Sequence, residues 1–479
     1  MTAAYVGGAP LNVGARKVEG QQVEIGGERF YRIVNCDAMP PFLMSIVSDS
    51  DQWMFVSSTG ALTAGRRDPD HALFPYYTDD RIHDSQDQTG GKTIFLVARD
   101  GRIELWEPFS QRYEGLYRIT RSLSKSIYGN RVIFEEVNHD LALSFSCTWM
   151  SSNRYGFVRR TALLNLSAEP VEIDLLDGIQ NLLPHGLTRR FQLEYSTLAD
   201  GYKENELDPE TGLGLFKLSS IPADRPEPNE ALRVTTVWSE GLQPARRLLC
   251  SAQVDRFRRG ETVDEETLIR GRRGAYFVNT RLTIPSRGFR EWSIVAEIDQ
   301  DAANVAALRA LLKSGANLRA QLDEDVERGT VNLVRIVAGA DGLVLFNRFF
   351  QPEIDVESLE MAPRLELSTS EDLRLRIRWL GLLRDQVKLS LACSGGVHTP
   401  ADIVKSLLAG ADAVQVVAAL LIRGPGRLGE LLKGLVEWME AHEYESVEQM
   451  IGALSLRNCP DSEAYERGNY LKTLQLWRE

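Results

Sequence analysis

The chain has 479 residues, 43% of them hydrophobic and 25% charged, which are ordinary proportions for a globular protein with room for roughly two to four domains. Against 55 Lys and Arg stand 67 Asp and Glu, and the net charge of −12 argues against sequence-independent nucleic-acid binding, which rests on neutralising phosphates. No run of about 18 apolar residues is present and Met1–Val18 lacks an apolar signal core, so neither a membrane-spanning helix nor export is expected, and a cytoplasmic protein is.

From Met1 to about Gln300 the pattern is that of short strands. The first polar concentration is Phe74-Pro75-Tyr76-Tyr77-Thr78-Asp79-Asp80-Arg81-Ile82-His83-Asp84. Sugars stack on aromatic faces and bind planar polar groups, and paired carboxylates serve glycosidic acid–base chemistry. Asp and Thr also favour turns, so a tight hydrogen-bonded loop accounts for the same residues. Asp80, His83 and Asp84 fit no strong ligand spacing, and no metal is expected.

Further on, Leu141, Leu143, Phe145, Cys147 and Trp149 alternate with Ala142, Ser144, Ser146 and Thr148, the period of a half-buried strand. Phe157–Asn165 is another β-rich run, and Val171, Ile173 and Leu175 repeat the alternation after Pro170. Many short strands punctuated by Gly, Asn and Asp predict a large antiparallel sandwich over residues 1–300. Near Asp301 the period changes. Val305, Leu308, Leu311 and Leu312 share a helical face that Gly315 is placed to end, and a charged helix follows from Asn317 to Arg328. Residues 301–331 are therefore expected as a helical linker or as the end of the sandwich unit.

After Asn332 come three apolar strands, Gly342–Phe346, Lys388–Cys393 and Ala413–Val417, separated by helical patterns at Glu371–Leu383 and Pro400–Leu408 and followed by one at Pro425–Met439. Alternating apolar strands and helices predict a parallel sheet covered by helices over residues 332–479. Three strands cannot close a barrel. Ligands bind at the carboxyl ends of such strands, where Ser394-Gly395-Gly396 and Val417-Ala418 stand. Paired glycines admit an anion to the backbone, Ser394 or Thr399 could add a hydroxyl, and the next helix a favourable dipole. The same Gly-Gly also serves as a plain turn. His398 could touch a phosphate or cap the helix, and Asn347 could contact a ligand or cap its strand. Cys36, Cys147, Cys250, Cys393 and Cys459 are scattered, odd in number and without a Cys-x-x-Cys pair, so buried free thiols in a reducing compartment are expected.

The stretch from about Ala338 to Trp477 resembles the dihydroorotate dehydrogenases. Ser394-Gly395-Gly396-Val397 stands where that family carries a Thr-Gly-Gly-Ile type loop; Ala409-Gly410-Ala411-Asp412-Ala413-Val414-Gln415-Val416 matches its next helix end and strand. Ala419-Leu420 and Gly424-Pro425 match the turn into its last helix, and Glu443-Tyr444-Glu445-Ser446 its Gly-Tyr-x-Ser tail. The resemblance implies the C-terminal half of a (β/α) TIM barrel. It further implies an FMN phosphate held at Ser394, Gly395, Gly396, Val417 and Ala418, and substrate contact at Asn347. Where the family has Gly-Thr this chain has Val417-Ala418, one hydroxyl and one open backbone position fewer. The family's flavin-contacting lysines, further asparagines and Cys or Ser base come from earlier strands, and nothing before Asn332 resembles them. Cys393 ends a buried strand and is expected to be structural.

Glu135-Glu136-Val137-Asn138-His139-Asp140, Gly156-Phe157-Val158-Arg159-Arg160 and Asp177-Gly178-Ile179-Gln180-Asn181 resemble, in order, the N-terminal β-supersandwich of cellobiose-phosphorylase-like proteins, over about Glu28 to Asp325. In that family the general acid lies in a following helical barrel, which has no counterpart here. The expected protein is thus an antiparallel β-supersandwich followed by a partial TIM-barrel segment, a fusion of two incomplete parts without a named catalytic residue, joined within Val334–Gly342. Two alternatives stand beside it. One is an FMN-dependent oxidoreductase of dihydropyrimidines completed by homo-oligomerisation, since an open half barrel exposes apolar edges. The other is a carbohydrate-binding module.

Overall fold

The computed structural model describes residues 5–6, 9–11, 16–77, 81–99, 101–220, 231–338, 341–346, 352–355, 360–363 and 367–460. The chain divides into two compact units, Met1–Arg335 and Ile336–Glu479. Most of the regular structure is antiparallel sheet, with helices gathered toward the C-terminus. None of the described helices is long and apolar enough to cross a membrane.

The first unit is built on an 11-stranded and a 5-stranded sheet. The centre of the large sheet runs Phe289–Gln300, Gly156–Asn165, Leu143–Ser152, Arg131–Asn138 and Ile119–Ser126, every neighbouring pair antiparallel. The smaller sheet orders Arg246–Leu248, Gly274–Ile284, Val171–Leu182, Gly90–Arg99 and Arg102–Trp106. Alternation explains how they meet. Leu143, Phe145, Cys147 and Trp149 are buried on one face of their strand, and the serines and threonine between them are half-exposed. Their apolar face shares one core with Phe95, Ile173, Leu175, Ile179 and Val278 of the smaller sheet. Phe145 packs edge-on against both Phe95 and Trp106, at ring distances of 6.0 and 6.5 Å.

A charged pair also crosses this core. Arg159 of the large sheet donates from Nη1 to both carboxylate oxygens of Asp177 in the smaller one, each at 2.8 Å. Thr93 Oγ1 and Trp292 Nε1 donate to the same carboxylate, each at 2.6 Å. A second buried carboxylate, Glu136, accepts from Trp106 Nε1 at 2.7 Å and Arg121 Nε at 2.7 Å. Buried charges survive only when so paired.

The two helices after the last strand are Ala302–Lys313 and Leu318–Ala338. Asp301 caps the first, accepting from Asn304 N–H at 2.9 Å, and Gly315 follows it with φ +69°, the left-handed position that glycine takes at helix ends. They are packed onto the sandwich: Leu322 and Val326 are buried with Met150, Tyr155, Val158 and Trp238. Ser152 Oγ and the Arg154 N–H both donate to the buried Asp325. Of the two roles expected for residues 301–331, the packing assigns them to the sandwich unit. The second helix runs ten residues beyond the expected Arg328, because Thr330 and Leu333 are buried on the same face.

The second unit contains three parallel strands in the order Gly342–Leu345, Ser390–Ser394, Ala413–Gln415. Helices Leu373–Leu383, Pro400–Ala409 and Arg427–Ala441 supply Leu373, Leu380, Ile403, Val404, Leu407, Leu431 and Leu435 to a core with Leu345, Leu391 and Cys393. The third strand ends at Gln415, two residues before the expected Val417.

Two neighbouring acidic groups of the sandwich shift in opposite directions. Burial alone would raise the Asp299 carboxyl, but the hydrogen bond from His185 Nδ1, with His71 and Arg67 nearby, holds it below the ordinary carboxylate range. Glu297 departs the other way, since burial outweighs its bonds to Arg66. A lowered carboxyl contributes stability that is complete above its unfolded pKa and lost as pH falls through the folded one. Asp299→Asn should therefore lower the urea midpoint at neutral pH and converge with the parent chain below about pH 4. Urea titrations at several pH values check this. Asparagine accepts the φ of +57° at this position, so the backbone is not the variable.

Candidate functional site

Strand pairing brings two of the sequence-selected segments to one end of the parallel sheet. Ser394 lies beside Gln415 in register, so Ser394–Gly396 and Val417–Ala418 both leave the carboxyl edge. Asn347 lies outside the described residues. Among the described residues nothing places a catalytic base here. Burial pushes the Cys393 thiol up, outweighing its bond to Ser406 and the charge of Arg376, so it is not a thiolate at neutral pH.

Gly395 and Gly396 have φ of +86° and +82°, a conformation other residues rarely adopt. What fills the inner side of this loop is Arg376. Its side chain is 7% exposed, and its guanidinium lies 2.9 Å from where a Cβ on Gly395 would stand. Arg376 donates to the Ser394 and Asp372 carbonyls and makes no ion pair among the described residues. A trans peptide holds its N–H opposite its C=O. With the Ser394 carbonyl turned to Arg376, the Gly395 N–H is directed to the other side of the loop. Gly396 N–H donates to Ser368 Oγ at 3.1 Å.

The helix that follows is already capped. Asp402 is 2% exposed and accepts from the N–H groups of His398 and Thr399 at 3.1 and 2.9 Å and from Ser370 Oγ at 2.7 Å. Burial would raise its carboxyl; these donors overrule that and lower it. Thr399 closes the capping box by accepting from Asp402 N–H at 3.3 Å. The expected helix dipole thus meets a resident carboxylate first, and Thr399 is a cap. His398 is half-buried; its carbonyl accepts from Arg427 Nη2 at 2.9 Å, and its Nε2 is enclosed with no hydrogen-bond partner. Arg427 Nε is also enclosed and unpartnered. At the neighbouring corner Val417 is 61% exposed and precedes the short helix Ala418–Arg423, whose Leu420 and Leu421 N–H groups already donate to the Val417 carbonyl, each at 3.0 Å. Ala418 is nearly buried.

An anion fits this loop from one side. Beside Gly395 lies the buried guanidinium of Arg376; His398 and Arg427 each keep one enclosed nitrogen without a hydrogen-bond partner, while Glu430 pairs with Arg427 and the carboxylate of Asp402 adds a second negative charge. Sequence reading picked out the glycines and missed Arg376. Its signal was available: with Leu373 and Leu380 it forms an i, i+3, i+7 set on the buried face of the helix.

In the sandwich, the described parts of the polar run at 74–84 are residues 74–77 and the single helical turn Arg81–Asp84. Phe74 is buried, Tyr76 stands edge-on to Trp53 at 5.3 Å, and His83 Nδ1 bonds Ser57 Oγ at 2.6 Å. Thr78, Asp79 and Asp80 lie outside the described residues. Phe74, Tyr76 and His83, part of the group expected to serve a sugar, are thus committed to the fold.

No family model matches the chain. Its C-terminal part is similar to dihydroorotate dehydrogenases. The dihydroorotate dehydrogenase (quinone) of Deinococcus radiodurans is 29% identical over 187 residues, covering 32% of this chain and 49% of the relative. The catalytic subunit of dihydroorotate dehydrogenase B (NAD(+)) of Pelobacter propionicus is 32% identical over 122 residues, 24% of this chain and 39% of the relative. A Halobacterium salinarum dihydroorotate dehydrogenase (quinone) is 30% identical over 161 residues, 31% of this chain and 44% of the relative. The chain spans about a third to a half of the length of these curated relatives.

Proposed function

We propose that the C-terminal unit is a dihydroorotate-dehydrogenase-like half barrel that holds the phosphate of FMN without enclosing its ring, and that it does not oxidise dihydroorotate by itself. The observation that carries this reading is the Gly395-Gly396 loop backed by Arg376. Gly395, Gly396 and Val397 would face the phosphate from one strand end, and Val417 and Ala418 from the next. In a complete enzyme the bound flavin supplies hydride acceptance from a dihydropyrimidine. Here the three parallel strands have no opposite wall among the described residues, and burial raises the Cys393 thiol, so it carries no negative charge at neutral pH. The sandwich, joined within 334–342, is on this reading a carbohydrate-binding part without a catalytic barrel.

A second reading has two chains completing one barrel and restoring the oxidoreductase. It is favoured by the exposed apolar side chains of Leu421, Ile422, Leu428, Leu432 and Val436 on two consecutive helices, Ala418–Arg423 and Arg427–Ala441.

Titration of the full chain with FMN and with riboflavin separates the two. A phosphate cradle alone binds FMN, ignores riboflavin and leaves the flavin absorption spectrum almost unshifted. Equal binding of both, or of neither, overturns it. A shifted spectrum that grows with protein concentration, together with a dimer in sedimentation, selects the second reading.

A further inference from the structure

We propose that the β-sandwich carries an elongated cleft for an uncharged linear oligosaccharide, laid along the loop Ser85–Thr89. The inference deepens the carbohydrate reading of the sandwich and rests on it. Three cavities are strung side by side on consecutive residues of this loop. The first, about 250 Å³, is bounded by Thr59, Gln86, Phe109, Gln111, Glu114 and Arg121. The second, about 40 Å³, shares Thr59, Gln86 and Phe109 with it and adds Asp87, Lys92 and Glu107. The third, about 510 Å³, shares Asp87 with the second and continues past Gln88, Gln180 and Asn181 to Arg272 and Arg273. The third cavity alone falls in the range of about 300–1,000 Å³ usual for ligand clefts.

The topology explains why these residues converge. Gln180 pairs with Gly90 and Leu182 with Gly274, so three neighbouring strands of the smaller sheet end together. The bulge between Gln180 and Leu182 turns Asn181 into the cleft wall with φ +61°. Phe109, at the other end, has φ +58°. For a phenylalanine this is a true outlier, and such strain persists where the surroundings over-determine it, typically at binding sites.

The lining chooses the ligand. Each cavity sets opposite charges against one another: Glu114 and Asp37 with Arg121, Asp87 and Glu107 with Lys92, Asp200 with Arg272 and Arg273. Lys92 bonds both Asp87 and Glu107 at 2.9 Å, Arg121 is held by Glu136 and Arg273 lies 3.6 Å from Asp200, so most of the lining cations are paired within the protein. Charges of both signs, mostly paired, give a phosphate, a nucleotide or a cation little to select. What it offers along its length is carboxamides: Gln88 and Gln111 are exposed and act as both donor and acceptor, whereas Gln86, Gln180 and Asn181, whose nitrogens already donate to the Phe109 carbonyl, the Asp87 carbonyl and Thr89 Oγ1, add mainly their oxygens. Sugar hydroxyls are the ligand groups with the same dual character, and a row of cavities suits a chain of rings.

The test is calorimetric titration of the full chain with neutral linear glucose-, xylose- and mannose-based oligosaccharides of increasing length. Gln88→Ala and Gln111→Ala mark opposite ends, and both side chains are exposed, so neither substitution threatens the fold. Affinity should rise with length, and each variant should weaken the longest ligand about tenfold, with the shortest ligands sensing one variant only. Oligosaccharide binding indifferent to both variants keeps the carbohydrate reading and overturns the cleft. Absence of heat with every neutral oligosaccharide overturns both, and preference for a charged glycan or a nucleotide overturns the ligand class.

Discussion

Replacing Arg159 by methionine should cost the sandwich on the order of 3–5 kcal/mol, a large share of what holds any domain together. Asp177 is fully buried and would be left with Thr93 and Trp292 as its remaining side-chain donors, with no cation to balance it. The loss arises from stranding a carboxylate where water cannot reach it, more than from the attraction itself. It follows that Arg159→Met with Asp177→Leu should recover part of the deficit that either change alone produces. Urea unfolding followed by Trp fluorescence reads it directly, because Trp292 bonds the same carboxylate. A midpoint in Arg159→Met that matches the parent chain would mean the pair is incidental to stability.

That pair also shows how far the amino-acid pattern carries. Arg159 lies in phase with Phe157 and Thr161, and Asp177 with Leu175 and Ile179, so each charge falls on an inward face by the period of two. Opposite charges at inward positions of two strands are a legible signal of a buried cross-sheet bond. The motifs around Glu136, Arg159 and Asp177 stood out as a family resemblance, and the structure places their charges in the interior. The three parallel strands and their helices were equally open to reading, because an apolar run before Ser394 and a helical period after Pro400 are both local. The cleft was not. Its walls come from loops near residues 36, 87, 109, 181, 251 and 272, and only the register of the sheets brings them together. The capped state of the Gly-Gly corner was half legible: Thr399-Pro400-Ala401-Asp402 is a capping-box spacing, which already implied that the helix start would satisfy itself.

Gly396→Ala is expected to destabilise the C-terminal unit by about 3 kcal/mol and to abolish anion binding at its loop. Two causes add. The φ of +82° is costly for alanine, and the new methyl would lie 2.6 Å from the Leu373 backbone nitrogen and 2.9 Å from its Cα. Leu373 begins a buried helix and is 1% exposed, so the helix cannot retreat and the loop must. Moving the loop takes the Ser394 carbonyl off Arg376 and turns the Gly395 N–H away from the strand end. Gly424→Ala is the control: its φ is +78° and its ψ 171°, yet open space surrounds it, so it bears only a conformational cost, of about 1–3 kcal/mol. Thermal unfolding of the two variants, with FMN titration of each, separates strain from close approach. If they lose equal stability and bind FMN equally, the tight seat of Gly396 on Leu373 does not shape the loop, and the phosphate cradle loses its structural basis.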